Sequence, residues 1–146
     1  MTERVEPDAP VVIPIDHTAD VGVRIIARTP TEAFAAAAEA MFDVMIDRGG
    51  VSRSEVWQVE VDAAGWEDLL VTWLEELLWR HESEGMMLHS PLIGSISPTH
   101  LKAVVEGEVF HRDRHERRTQ VKAVTYHQLR AEETDQDFEV QVIFDI

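Results

Sequence analysis

The sequence predicts an α+β fold, a two-layer arrangement in which two main helices pack on a largely antiparallel sheet. Three observations carry that prediction. Trp66, Leu69, Leu70, Trp73, Leu74, Leu77 and Leu78 follow the i, i+3, i+4, i+7 spacing of an amphipathic helix. The last segment alternates instead: Phe138, Val140, Val142, Phe144 and Ile146 are interleaved with Glu139, Gln141, Ile143 and Asp145, the period of a strand with one apolar face. The whole chain reads as strand, strand, helix, strand, helix and then four strands, and this grouping favours α+β over a doubly wound fold.

In chain order, residues 1–10 are acidic and proline-containing, with no apolar signal region, and read as a disordered lead-in to a single domain over 11–146. Val11 to Ile15 is apolar but interrupted by Pro14, which suits an edge strand or a strand start. Val21 to Ala27 is a second strand. Thr29-Pro30-Thr31-Glu32 then announces a helix, with Thr29 as N-cap, Pro30 at the first helical position and Glu32 three residues after the cap. That helix runs to about Ile46, presents Phe34, Ala38, Met41 and Met45 on one face, and is ended by Asp47 to Gly50. Val56 to Val61 alternates as a strand. The second helix covers Trp66 to about His81, and its tryptophans belong to the core by their place on or beside the apolar stripe. Strands are expected at Met86 to Ile93, Leu101 to Phe110, Gln120 to about Leu129 and Phe138 to Ile146, with His111 to Arg118 a polar, basic connector.

Composition narrows the functional classes. At 146 residues and 45% hydrophobic, the chain is large enough to bury a core. No window approaches the roughly 20 apolar residues of a membrane helix. With no cysteine, disulfides, thiolate zinc sites and cysteine nucleophiles are excluded, and a cytoplasmic location is expected. The net charge of −15 disfavours direct, high-affinity nucleic-acid binding and suits a basic protein partner or divalent cations. Only two of the 13 basic residues are lysines, Lys102 and Lys122, so each invites a specific role for a compact ammonium group.

Three segments carry candidate chemistry. Asp16-His17-Thr18-Ala19-Asp20-Val21-Gly22 sets two carboxylates and an imidazole between two strands, where hard-cation ligands or a proton-transfer group are often placed. An ordinary turn, with Asp16 and Asp20 bonded to nearby amides, accounts for the same residues. The C-terminal strand fixes Asp145 beside the α-carboxylate of Ile146. Two anions one residue apart on a rigid element call for a cation, and an oxygen-only donor set suits Ca²⁺ or Mg²⁺ (or Mn²⁺) rather than zinc. Solvation at a sheet edge is the alternative. In Val121-Lys122-Ala123-Val124-Thr125-Tyr126-His127, strand alternation puts Lys122 with Val124 and Tyr126, and a mid-strand lysine calls for a partner, most simply an Asp on a neighbouring strand. An edge-strand lysine that blocks aggregation is the other reading. His111 and His115 lack a third zinc ligand, no phosphate-binding glycine loop is present, and no serine has a nucleophile-elbow context.

Taken together, these segments resemble the archease family. The resemblance rests on residues 16–22, Thr31-Glu32-Ala33-Phe34, Met41-Phe42-Asp43-Val44-Met45, Asp68-Leu69-Leu70-Val71 and Trp73 to Leu78. It continues through Gly107-Glu108, Arg114-His115, Val121 to His127 and Val142 to Ile146. It implies a small cytoplasmic α+β protein built on an elaborated strand-helix-strand-strand module, acting as accessory factor to an RtcB-type tRNA-splicing ligase. Such a factor promotes ligase guanylylation and multiple turnover and is not itself the catalyst. The resemblance also implies metal-site positions at Asp20, Asp145 and Ile146, with a functionally sensitive lysine at Lys122; His17 and His127 are further candidates as general bases. Residues 86–100 match only loosely. A stand-alone divalent-metal-dependent enzyme and a metal-independent acidic adaptor are the competing classes.

Overall fold

The computed structural model describes residues 9–17 and 20–146, apart from the side chains of Asp16 and His17. Most of the expected lead-in, residues 1–8, lies outside the described residues, as does the centre of the acidic segment, residues 18–19. The elements are β1 (Val11–His17), β2 (Asp20–Ala27), α1 (Pro30–Met45), β3 (Glu55–Asp62), α2 (Trp66–Glu84), β4 (Met86–Ser97), β5 (His100–Val109), β6 (Ala123–Glu133) and β7 (Phe138–Asp145).

The helix signals act as their chemistry predicts. Thr29 Oγ1 accepts the Glu32 amide at 3.2 Å, and the Glu32 carboxylate reaches back to the Arg28 amide at 3.4 Å. Gly85 closes α2 with φ of 72°, and its amide bonds the carbonyls of Arg80 and His81. That left-handed cap suits glycine because no Cβ is present to clash. Three tryptophans of α2 differ in fate: Trp73 is fully buried and donates to the Phe34 carbonyl at 3.0 Å, Trp66 is half-buried, and Trp79 is exposed. Trp66 meets Phe138 edge-on at 4.9 Å between ring centroids and Phe34 at 5.8 Å, which ties α2 to α1 and β7.

The class, the two helices and the antiparallel pairing are as the sequence predicts. The strands, however, divide into two sheets, ordered β1-β2-β7-β6 and β3-β5-β4, with every pairing antiparallel. Both helices contact both sheets, so one apolar core serves the whole chain. Pro14 sits on β1, an edge strand, where its missing amide breaks no ladder. β7, last in the chain, lies in the interior of its sheet between β2 and β6.

Two boundaries differ instructively. β4 runs on to Ser97 because two irregularities in its pairing with β5 absorb extra residues. β6 begins at Ala123 rather than Gln120 and extends to Glu133. Residues 120–122 are irregular, so alternation fails there: Val121 and Val124 are both buried while Lys122 and Ala123 are exposed. Lys122 therefore does not share a face with Val124.

Candidate functional site

Asp20, Asp145, Ile146 and Lys122 meet at one end of the four-stranded sheet, whereas Lys102 lies on β5 of the other sheet, opposite Glu60. Asp20 opens β2 and Asp145 closes β7, and the two are direct partners in the ladder. Directly opposed residues of an antiparallel pair project from the same face, so two carboxylates from opposite ends of the chain stand side by side. Both are half-buried, and neither carboxylate has a hydrogen bond or ion pair within the described residues. Like charges so placed destabilise a ladder unless something neutralises them. Ile146, half-buried against the core, follows immediately.

Lys122 arrives from the other side. Its amide donates to the Asp145 carbonyl at 2.7 Å, which brings it alongside the pair. The side chain is exposed and forms no ion pair among the described residues. The expected carboxylate partner is thus replaced by a main-chain bond, with the ammonium left in solvent.

The ladder near the pair is specified by a glycine. Gly22 partners Ile143, and a Cβ at Gly22 would lie 2.9 Å from the Val142 carbonyl oxygen and 3.0 Å from Ile143 Cγ1. Ile143 lies against that bare position and is fully buried, although alternation sets it with Glu139, Gln141 and Asp145. A glycine inside an apolar strand run was the available signal for this close approach.

His127 is not brought to the pair. The β6–β7 ladder is irregular between Thr125 and Arg130, where Gln128 takes a φ of 51°, and His127 sits exposed in that stretch. Thr125 Oγ1 steadies it by donating to the Ile143 carbonyl at 2.8 Å while accepting the His127 amide at 3.3 Å. The backbone of His17 pairs with Asp20. Its side chain, with that of Asp16, lies outside the described residues.

Lys122 owes its position to a buried knot in the connector. Glu108 Oε1 accepts the Ser52 amide at 2.8 Å and His115 Nε2 at 3.1 Å, while Oε2 pairs with Arg114 at 2.8 Å. His115 Nδ1 accepts the His111 amide at 2.7 Å, so the proton of the neutral ring is on Nε2 and points at Glu108. The Ser52 amide above all, then His115 and Arg114, hold the Glu108 carboxyl down at about 2. From this anchor the chain passes the end of α1, where the amides of Arg118 and Thr119 donate to Met45 and Val44, and delivers Lys122 to β7. His115 is thereby committed to structure.

Among the described residues no three His, Cys, Asp or Glu side chains gather. Among the described residues, the donors at the sheet end are oxygens: two side-chain carboxylates and the main chain at Ile146. That oxygen set fits a hard cation.

A sequence profile of the archease protein family matches residues 14–146. This chain belongs to the archease family. The archease of Sulfurisphaera tokodaii is 39% identical over 133 residues, covering 90% of this chain and 95% of that protein. The solution structure of protein 1598 of Methanobacterium thermoautotrophicum superposes with a TM-score of 0.78 at 33% identity, over 92% of this chain and 98% of that one. The crystal structure of an archease, described as a possible chaperone, from Thermotoga maritima shares the fold with a TM-score of 0.62 at 20% identity, over 92% and 96% of the respective chains. The archease fold thus spans the acidic pair, the connector and Lys122 together. No helix among the described residues is long and apolar enough to cross a membrane.

Proposed function

We propose that this archease is an accessory protein of an RtcB-type RNA ligase in tRNA splicing or RNA repair, promoting ligase guanylylation and multiple turnover without joining RNA itself. The observation that carries the reading is the register of Asp20 on Asp145. It sets two carboxylates, next to Ile146, at the end of a sheet in a chain of net charge −15. In this reading Asp20, Asp145 and the Ile146 carboxylate hold a divalent cation, Ca²⁺ or Mg²⁺/Mn²⁺, which supplies positive charge able to contact phosphate. The paired carboxylates hold the ion, and the exposed Lys122 ammonium is free to meet a partner's acidic group or a phosphate. A ligase cleft that binds RNA phosphates and a nucleotide is electropositive, so an acidic tip is steered into it. Association with nucleic acid directly is not part of this reading.

The test is a ligation assay at limiting ligase, joining an RNA 3′-phosphate end to a 5′-hydroxyl end. Wild-type protein should sustain many turnovers. Asp20→Ala, Lys122→Ala and a variant extended past Ile146 should not, while keeping the wild-type unfolding temperature within a few degrees. Normal stimulation by Asp20→Ala would remove the acidic tip from the mechanism. The second reading is a metal-independent adaptor, in keeping with the description of the Thermotoga maritima protein as a possible chaperone. Stimulation that survives both chelation and Asp145→Asn would favour it.

A further inference from the structure

The basic connector leaves one feature that the acidic tip does not use. On the side of α1 and α2 facing residues 117–121 lies a cleft of about 480 Å³, within the size range of small-molecule sites. Met45 from the end of α1, His81 and Glu82 from the last turns of α2, and Arg117, Arg118 and Val121 from the connector form its walls. In so acidic a chain, two guanidinium groups on one cleft are a local reversal of charge.

Their partners make the reversal effective. The Arg117 guanidinium lies 3.8 Å above the centroid of the Phe110 ring and forms no ion pair among the described residues. Stacking fixes the group while leaving its donors to a ligand. Arg118 reaches Asp47 only at 3.8 Å, with half its side chain exposed. His81 donates from Nδ1 to the Met86 carbonyl at 2.8 Å, so the neutral ring presents Nε2 as an acceptor. Burial, with Arg117 nearby, holds this ring below its ordinary pKa. Glu82, on the rim, is the one carboxylate in the lining. Met45 and the edge-on contact of His81 with Phe42, at 5.5 Å, give the floor an apolar character.

We infer that this cleft binds a small phosphorylated molecule of nucleotide size, with Arg117 and Arg118 on the phosphate and the Met45–His81 wall against an apolar or aromatic moiety. A forked guanidinium recognises phosphate oxygens bidentately, and an acceptor on His81 suits a ligand hydroxyl or amine. The net charge of −15 makes a long polyanion a poor occupant of the same cleft. The inference does not depend on the ligase reading, because it uses neither Asp20 nor Asp145.

The test is calorimetric titration of the full chain with a nucleoside 5′-monophosphate, the matching nucleoside, inorganic phosphate and a short RNA bearing a 3′-phosphate. The nucleotide should bind, phosphate more weakly, and the nucleoside weakest of all. Arg117→Gln and Arg118→Gln, both at exposed positions, should each weaken the nucleotide about tenfold at an unchanged unfolding temperature. Amide shift mapping on the wild-type protein, which needs no variant, should centre on His81 and residues 117–121. No binding at millimolar nucleotide would overturn the proposal. So would equal affinity for nucleoside and nucleotide, undiminished binding by the double variant, shifts centred elsewhere, or an RNA end that binds more tightly than the nucleotide.

Discussion

Asp145→Asn is expected to stabilise the protein in chelator and to make it the less stable of the two in divalent cation. Asp20 and Asp145 are ladder partners without a described neutralising group, so their β-carbons are about 5 Å apart, as in any antiparallel pair. Two unit charges at that distance repel by about 0.8 kcal/mol in a water-like dielectric, and like-charged cross-strand pairs cost about 0.2–1 kcal/mol. For a chain of 146 residues, relieving that repulsion raises the unfolding temperature by about 1–4 °C. If the pair holds a cation, saturating Ca²⁺ at about 100 times its dissociation constant adds about 2.7 kcal/mol to the wild-type protein, or about 8–10 °C. The asparagine variant, one anionic ligand short, should gain little. Thermal unfolding by circular dichroism, each protein measured in EDTA and in CaCl₂, reads both effects. A variant that is no more stable in EDTA would refute the repulsion, and an equal Ca²⁺ shift in both proteins would refute a site at the pair.

Three further expectations follow from packing and charge. Glu108 has a folded pKa of about 2 against an ordinary value of 4.5, so its contribution to stability is fully present above pH 4.5 and is lost as the pH falls through about 2. Denaturant titrations of wild-type and Glu108→Gln protein should therefore differ most near neutrality and converge in acid; a gap that widens in acid would contradict the knot. Gly107→Ala would put its Cβ 2.0 Å from the Met87 carbonyl oxygen, so β4 and β5 must separate, at a cost of about 3 kcal/mol or more by chemical denaturation. Trp73→Phe should cost about 1–3 kcal/mol, from the lost bond to the Phe34 carbonyl and the vacated ring volume, with no shift in the Ca²⁺ response.

What the sequence disclosed and what it withheld divide along the range of the interactions. The start of α1 was legible because a cap, a proline and a glutamate act within four residues of one another. β7 was legible as a buried strand because alternation is local. Its neighbours were not, since nothing in Phe138 to Asp145 says that β2 lies on one side and β6 on the other. The same limit merged two sheets into one. Residues 120–122 misled for another reason: Val121 reads as continuous with the β-branched Val124 and Thr125 of the strand that follows, but the connector's bonds to α1 set their path. At the site, residue identities pointed to Asp20, Asp145 and Lys122. The ladder pairing and the main-chain bond from Lys122 to Asp145 became visible only in three dimensions.

The interior placement of β7 has a temporal consequence. During synthesis, β1 and β2 can form a hairpin early and β3, β4 and β5 can close their own sheet, but β2 and β6 have no strand between them until residues 138–145 emerge. Long-range pairing of this kind is the slow part of folding. The opposed carboxylates therefore exist only once β7 has docked between β2 and β6. A chain in which β7 has not yet docked carries Asp20 without its partner, so the protein's working end doubles as a mark of its own folding.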